Sequence, residues 1–309
     1  MPAQNILLPP GTLWNKVTKR TKHALQCGAL QSIPTTYELV EQSGISFLVR
    51  MLVNLIHKEE AKKRQEEESD GAGKRGNPFL PYEEDLFVAD LSETHLCLLN
   101  KFNAVDYHLL IITRAYEEQE RLLNAQDFVA TWVCLDEING LVFYNGGQKA
   151  GASQRHKHLQ LIPLPLIPKG PAIPIEPVLA SAHFQGAIGT VLVFPFRHAI
   201  ARLTFPPSAP LPYRVEKTLE SYQSLLKAVD LLDDTTLSIG WQQGPYNLLM
   251  TREWMLLVPR SQERFEAIAV NSLGFAGALL VRNQEQMAFL KEIGPITVLK
   301  GVAIPRQGS

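Results

Sequence analysis

Residues 145–163 read NGGQKAGASQRHKHLQLIP. Two glycine-bearing turns are followed by His156, His158 and Gln160 at alternate positions, and Pro163 begins the stop. On a strand, successive side chains point to opposite faces. His156, His158 and Gln160 are therefore expected on one face, with Arg155, Lys157 and Leu159 on the other. Neighbours in that polar row stand roughly 7 Å apart.

Outward from this strand, the pattern alternates between short apolar runs and helical spacing. GLVFYN, just upstream, reads as a strand, and so do DLFVADL, THLCLLN and YHLLIIT between residues 85 and 113. Between them, YEEQERLLNAQDFVATWVCLDEI has Asn124 or the preceding turn as its cap and Phe128, Trp132, Val133 and Leu135 at near-helical spacing. Nearer the N-terminus, Tyr37, Leu39, Val40, Phe47, Leu48, Met51, Leu52 and Leu55 predict a helix over 37–66. Its charged tail, KEEAKKRQEEESDGAGKRGNP, is expected to fray into a surface loop. Downstream, residues 164–212 are rich in proline and predict extended connections. Val215, Leu219, Tyr222, Leu226 and Val229 then mark a helix over 213–232, and YNLLMTREWMLLVPR marks a β-hairpin. NSLGFAGALLV reads as a turn into a packed helix or strand. Strands and helices mix without regular βαβ alternation, which predicts an α+β fold with a mainly antiparallel sheet flanked by helices.

Composition narrows the functional classes. The 309 residues carry a formal net charge of −1, so no global positive field favours nucleic acid. Three cysteines, Cys27, Cys97 and Cys134, are far apart and show no CxxC spacing, which fits a reducing cytoplasm. No apolar run reaches the roughly 18 residues of a membrane helix, and the N-terminus has no signal-peptide pattern.

The polar row suits two chemistries. A neutral imidazole attacks a phosphoryl centre and splits one transfer into two steps. The neighbouring imidazole and amide donate to phosphate oxygens, and glycines in GGQKAGASQ let backbone N–H groups approach them. Ser153 and Gln154 add side-chain donors, Lys149 and Arg155 add charge. Alternatively, H-x-H is a ligand pair for zinc or iron, needing a third ligand from His95, His108, His183 or His198. The plain alternative is polar residues on an exposed strand face. The residues by themselves do not choose between His156 and His158 as nucleophile.

N-x5-G-A-S-Q-x-H-K-H-L-Q resembles the active-site segment of the histidine-triad superfamily in its H-x-H-x-Q branch. In its HKHLQ form it is similar to the ATP adenylyltransferase, or diadenosine tetraphosphate phosphorylase, family. NPFLPYEEDLFV, HLCLLNKFNAVDYHLLIITR, DFVATWVCL, YNLLMTREWMLLVPR and NSLGFAGALLVR agree in order, so the resemblance spans nearly the whole chain. It implies a histidine-triad-like sheet elaborated by a C-terminal half, with a catalytic region over 1–180 and an adenylyltransferase region over 181–309. It implies phosphorolysis of diadenosine tetraphosphate to ATP and ADP, reversibly, through an AMP–histidine on His158. His156 then orients, and Gln160 contacts the α-phosphate. Asn145, Gly151, Ala152, Ser153 and Gln154 fall on the phosphate-binding loop, and Asn100 and Lys101 on a nucleotide-contacting pair. Asn271, Ser272, Leu273, Ala278 and Arg282 fall on a C-terminal block reaching the polyphosphate. Lys58 falls on an N-terminal basic contact, for which Arg50 competes. The resemblance further implies Mg²⁺ carried by the nucleotide, no tightly bound cofactor, small-molecule substrates and a monomer. Two other functions fit the row: a dinucleotide sensor without turnover, and a metal-dependent nucleotide hydrolase.

Overall fold

The computed structural model describes residues 5–53 and 77–306. In chain order the elements are α1 (Leu13–Cys27), β1 (Thr35–Gln42), β2 (Ile45–Leu52), β3 (Phe87–Asp90), β4 (His95–Leu99), β5 (Leu109–Thr113), α2 (Ala125–Glu137), β6 (Gly140–Gly146) and β7 (His158–Pro163). Then come β8 (His183–Gln185), β9 (Ile188–Thr190), β10 (Ala199–Arg202), α3 (Leu211–Ala228), β11 (Tyr246–Met250), β12 (Trp254–Pro259), β13 (Arg264–Phe265), β14 (Ile268–Ala269), β15 (Ala278–Val281), α4 (Gln284–Ile293) and α5 (Pro295–Val302). Short helical turns occupy Glu176–Leu179, Asp234–Ile239 and Ser272–Phe275.

Ten strands form one antiparallel sheet in the order β3-β4-β5-β7-β6-β11-β12-β10-β9-β8. One row of directly paired residues crosses all of it: Phe87, Leu98, Leu110, Gln160, Phe143, Leu249, Leu256, Ile200, Gly189 and Phe184. Four residues lie on each side of the Phe143–Leu249 pair at its centre. The element order is the same in both halves: three strands, a long helix, two strands. The sheet therefore has a local two-fold axis between β6 and β11. Each half is an open sheet whose inner edge strand is capped by the other, so neither exposes that ladder to water.

Period-two alternation assigns the two faces. Leu109, Ile111, Leu159, Leu161, Val142 and Tyr144 face a core that includes α1, α2 and α3. On the other face, Leu141, Phe143, Leu249 and Leu256 pack under the C-terminal segment, while Leu110, Ile112 and Leu98 pack with Phe79 in a separate cluster. Gln160 and His158 are on this second face, in the seam between the two clusters. Helix α2 starts where Asn124 predicted: its side chain accepts from the Gln126 and Asp127 amides, and Asp127 answers by accepting from the Asn124 amide. This reciprocal cap satisfies donors that a helix start otherwise leaves bare.

The expected helix over 37–66 is instead a hairpin as far as residue 53. Strands β1 and β2 pair with Gln42 opposite Ile45, and β15 adds to β2 in parallel. Ser43 and Gly44 both take positive φ, 54° and 79°, the left-handed pair that closes a two-residue hairpin. The Ser-Gly dipeptide was a turn signal that the apolar spacing around it obscured. The remainder of that expected helix, with its charged tail and Lys58, lies outside the described residues. The proline-rich stretch also holds more than connections, because β8, β9 and β10 lie within it and complete the sheet. These strands are three or four residues long, too short to show a period against the surrounding prolines. The 213–232 helix and the 246–260 hairpin are present as α3 and β11–β12.

Candidate active site

Strands β6 and β7 pair as far as Phe143 and Gln160, then part. Gln119 fills the gap. Its Oε1 accepts from the His158 amide at 2.8 Å, and its Nε2 donates to the carbonyls of Asn145 at 2.9 Å and His158 at 3.2 Å. One buried amide thus replaces the missing ladder and fixes the backbone of His158. The opening between the strands holds the 147–157 loop.

The imidazole of His158 is buried. Its Nδ1–H donates to the His156 carbonyl at 2.8 Å, which leaves the lone pair on Nε2. That nitrogen has no hydrogen-bond partner among the described residues. It is not one of the sealed unsatisfied atoms either, so it meets open space. Burial pushes the His158 pKa down to about 4, against the opposing bond to the His156 carbonyl, and the nearby His156 pushes the same way as burial. The ring is therefore neutral, and nucleophilic, throughout the physiological range.

Two amides beside it have their oxygens tied back and their N–H groups left over. Gln160 Oε1 accepts from His108 Nε2 at 2.8 Å, and His108 Nδ1 accepts from Asn100 Nδ2 at 3.2 Å. Asn145 Oδ1 accepts from the Ser272 amide, the Ser272 hydroxyl and Asn247 Nδ2 at 2.9, 2.7 and 3.0 Å. Both amides are thereby oriented as donors. The loop adds more: the Ser153 and Gln154 N–H groups find no acceptor among the described residues. Gly147 and Gly151, at φ 93° and 92°, turn the loop, and a Cβ on Gly151 would stand 2.9 Å from that of Asn271. Only glycine lets the loop lie against the Asn271–Ser272 corner.

His156 precedes β7, in a bridge to Glu118. It lies on the expected side, since the Phe79 ring packs edge-on against both His156 and His158, centroids 5.6 and 5.4 Å away. Its Nε2 bonds to Thr113 and its Nδ1 to Asn77, at 2.8 and 2.9 Å. With both nitrogens engaged, it is poorly suited to ligate a metal. The candidate third ligands fare no better. His95 is on the opposite face with Asp127, His198 is bonded at both nitrogens within its own turn, His183 is exposed on β8, and His108 is tied to Gln160 and Asn100. Among the described residues, three such donors converge at His23, Cys27 and Asp85, on α1 and the turn before β3 rather than at the H-x-H.

The other expected site residues divide. Asn100 is in the His108 relay, but Lys101 forms a surface ion pair with Glu83 at 2.8 Å. Asn271 caps the Ser272–Phe275 turn by accepting from the Leu273 amide, and so holds Ser272 against Asn145. Ala278 pairs with Leu48 in the smaller sheet, and Arg282 is exposed just beyond it. Arg50 lies in β2 and bonds Thr35, its guanidinium lowered by burial. Lys149 is exposed, and Arg155 pairs with Glu118 at 2.9 Å.

Sequence reasoning missed Gln119, Asn247 and Arg260. Arg260 is fully buried, donating to carbonyls of Ala150, Val270 and Val302 and to Asn247, and burial lowers it to about 9. It ties the loop to the C-terminal segment. A lone arginine at the end of an apolar strand was its signal, and a lone glutamine in a charged run was that of Gln119.

Three buried histidines give the protein an acid limit. His108, His158 and His198 are each held near pKa 4, chiefly by burial. In the unfolded chain they take protons near 6.5. Between these values the unfolded state binds more protons, so stability is full above about 6.5 and falls as pH drops toward 4. Urea midpoints are expected to be lower at pH 5 than at pH 7, and an equal or higher midpoint at pH 5 would contradict the assignment.

A neutral imidazole with an open Nε2, sharing a sheet face with two amides whose oxygens are tied back, fits a site of the phosphoryl-transfer class. The family model described as Ap4A phosphorylase N-terminal domain matches residues 3–181, and that of the ATP adenylyltransferase C-terminal domain matches 193–305. The chain belongs to the Ap4A phosphorylase family. It is 28% identical over 276 residues to diadenosine 5',5'''-P1,P4-tetraphosphate phosphorylase 2 of Saccharomyces cerevisiae, covering 81% of each chain. It is 26% identical over 302 residues to Protein APA1 of the same yeast, covering 92% of this chain and 91% of the relative. The fold matches the crystal structure of yeast Ap4A phosphorylase Apa2 with a TM-score of 0.78 and 23% identity over 98% of both chains. It matches Apa2 in complex with Ap4A with a TM-score of 0.75 and 22% identity, over 96% of this chain and 99% of that one. Among the described residues, no helix is long and apolar enough to cross a membrane.

Proposed function

We propose that this protein is an ATP adenylyltransferase that phosphorolyses diadenosine tetraphosphate to ATP and ADP, reversibly, through an AMP adduct on His158. The observation that carries the reading is the open, neutral Nε2 of His158 flanked by the oriented amides of Gln160 and Asn145. In the first step Nε2 attacks the α-phosphorus, the P–O bond to the rest of the chain breaks, and ATP leaves. In the second, a phosphate oxygen attacks the same phosphorus, the P–N bond breaks, and ADP leaves. Two inversions give net retention. The developing charge on the equatorial oxygens is met by Gln160, Asn145 and the free N–H groups of Ser153 and Gln154, which need no reorganisation to receive it. The bond from Nδ1–H to the His156 carbonyl stabilises the cationic ring of the adduct.

Mg²⁺ enters on the polyphosphate, because the groups converging on His158 are amides and imidazoles rather than a carboxylate cage. The chain works as a monomer, since its two halves complete one sheet. A cytoplasmic location fits its three free cysteines.

The test is intact-protein mass after mixing with diadenosine tetraphosphate, first without phosphate and then with it. A gain of one AMP that disappears as ADP forms is expected. Consumption of the dinucleotide without an adduct would transfer the chemistry to water or a metal. No consumption at all would make the protein a sensor.

A further inference from the structure

Two short turns beside the histidines share the pattern Asn-x-Phe: Asn77–Pro78–Phe79 and Asn100–Lys101–Phe102. In each, the phenylalanine N–H donates back to the asparagine Oδ1, at 3.0 Å in the first and 3.3 Å in the second. A main-chain N–H can only donate, so this bond settles which end of each amide is which. The asparagine Nδ2 is then a donor toward a histidine Nδ1: Asn77 to His156 at 2.9 Å and Asn100 to His108 at 3.2 Å. A neutral imidazole has one N–H and one lone pair. With Nδ1 accepting, the proton of both rings belongs on Nε2. His156 Nε2–H donates to the Thr113 carbonyl at 2.8 Å, and His108 Nε2–H donates to Gln160 Oε1 at 2.8 Å. His158 between them has the opposite tautomer, with its Nδ1–H on the His156 carbonyl.

We infer that Asn100 is a positioning residue for the adenylyl transfer: it fixes the tautomer of His108, and that tautomer decides which end of the Gln160 amide is left over for the substrate. The chain runs from the Phe102 N–H through Asn100 and His108 to Gln160, donor to acceptor at every link. Asn100 is held beside His108 by its own main-chain amide, which donates to the His108 carbonyl at 2.8 Å. Burial lowers the His108 pKa to about 4, against the bond to Gln160, and nearby His158 lowers it further, so the ring keeps a single proton. On Nε2, that proton claims the Gln160 oxygen and leaves the amide N–H groups over. On Nδ1, it would leave a lone pair facing Gln160. The amide would then rotate to donate to His108, and an oxygen would stand where phosphate oxygens are to be received. What Gln160 receives rests on the adenylyltransferase reading; the tautomer of His108 does not. The role differs from the direct nucleotide contact that the family resemblance implies for Asn100.

Asn100→Asp tests this, because a carboxylate still accepts from the Phe102 N–H but offers His108 an acceptor in place of a donor. A carboxylate beside Nδ1 holds the imidazole proton on that nitrogen. Imidazole nitrogen NMR shifts are measured on the full-length wild type and variant without nucleotide, the His108 signals being identified by their loss in His108→Gln. The rate of AMP adduct formation at saturating diadenosine tetraphosphate is measured on the same two proteins. The His108 proton is expected on Nε2 in the wild type and on Nδ1 in the variant, with adduct formation slowed about a hundredfold or more, the cost of losing one oriented donor. A variant whose His108 proton stays on Nε2 would overturn the inference, however slow its chemistry. So would a variant that keeps the saturating rate and only needs more dinucleotide to reach it, the mark of a direct nucleotide contact. If the variant does not fold, the wild-type ring decides: a proton on Nε2 upholds the assignment and a proton on Nδ1 overturns it. A wild type with His108 protonated on Nε2 and no AMP adduct would instead overturn the adenylyltransferase reading while the tautomer stands.

Discussion

His158→Ala is expected to abolish adduct formation and to lower turnover by about four orders of magnitude or more, the usual cost of removing a covalent nucleophile. The expectation follows from how the other groups are used. His156 cannot take over, since its Nε2 is bonded to Thr113 and its Nδ1 to Asn77. His108 is turned to Gln160 and Asn100. The substitution removes a ring whose main-chain bonds to Gln119 do not depend on the side chain, so the fold is expected to survive. Nucleotide binding should therefore persist while chemistry stops. Intact-protein mass and single-turnover release of ATP check this, and an AMP adduct on the variant would move the nucleophile elsewhere.

Lys157→Met is expected to destabilise the protein by about 3–5 kcal/mol, the range for breaking a buried ion pair from one side. Lys157 lies between the two histidines in sequence but on the opposite face of the strand, fully buried. Its Nζ bonds Asp127 at 2.6 Å, Glu117 at 3.2 Å and the Leu122 carbonyl at 3.2 Å. Burial alone would raise the Asp127 carboxyl, yet Lys157 and His95 overcome it and hold it below the usual carboxylate range. Without Lys157, a fully buried carboxylate keeps only His95 and the Asn124 amide. The thermal midpoint should fall by roughly 5–10 °C. The double variant Lys157→Met with Asp127→Leu should recover much of the loss, because removing both charges removes the desolvation cost as well. A single variant as stable as the parent would show that the pair contributes nothing net.

Both results bear on how the site is supported. Asp127 is at once the partner of Lys157 and the third residue of the α2 cap, so the helix start, the strand and the active-site loop share one buried carboxylate. One face of β7 presents the His158 nitrogen and the Gln160 amide, and the residue just before the strand, Lys157, anchors the opposite side by charge.

Much of this was legible in the chain. Period-two alternation from His156 to Gln160 placed the polar row, Asn124 placed the start of α2, and apolar spacing placed α3 and the β11–β12 hairpin. These features are local, set by the pleat, the cap and the turn, and they hold before any distant contact forms. The apolar residues of β1 and β2 also satisfy a helical spacing, which hides the Ser43–Gly44 turn that closes their hairpin; β15, more than 200 residues later, then pairs with β2. Gln119, Asn247 and Arg260 have no local signature. They matter because the ladder between β6 and β7 opens and a loop is left to be tied down, and a gap between strands exists only once both strands are in place. The sequence by itself placed His158 and Gln160 on one face of a strand and marked α2, α3 and the β11–β12 hairpin. Tertiary structure alone decided their state, because burial makes His158 neutral, and neighbours more than 30 residues away tie back the oxygens of the Gln160 and Asn145 amides and leave their N–H groups over.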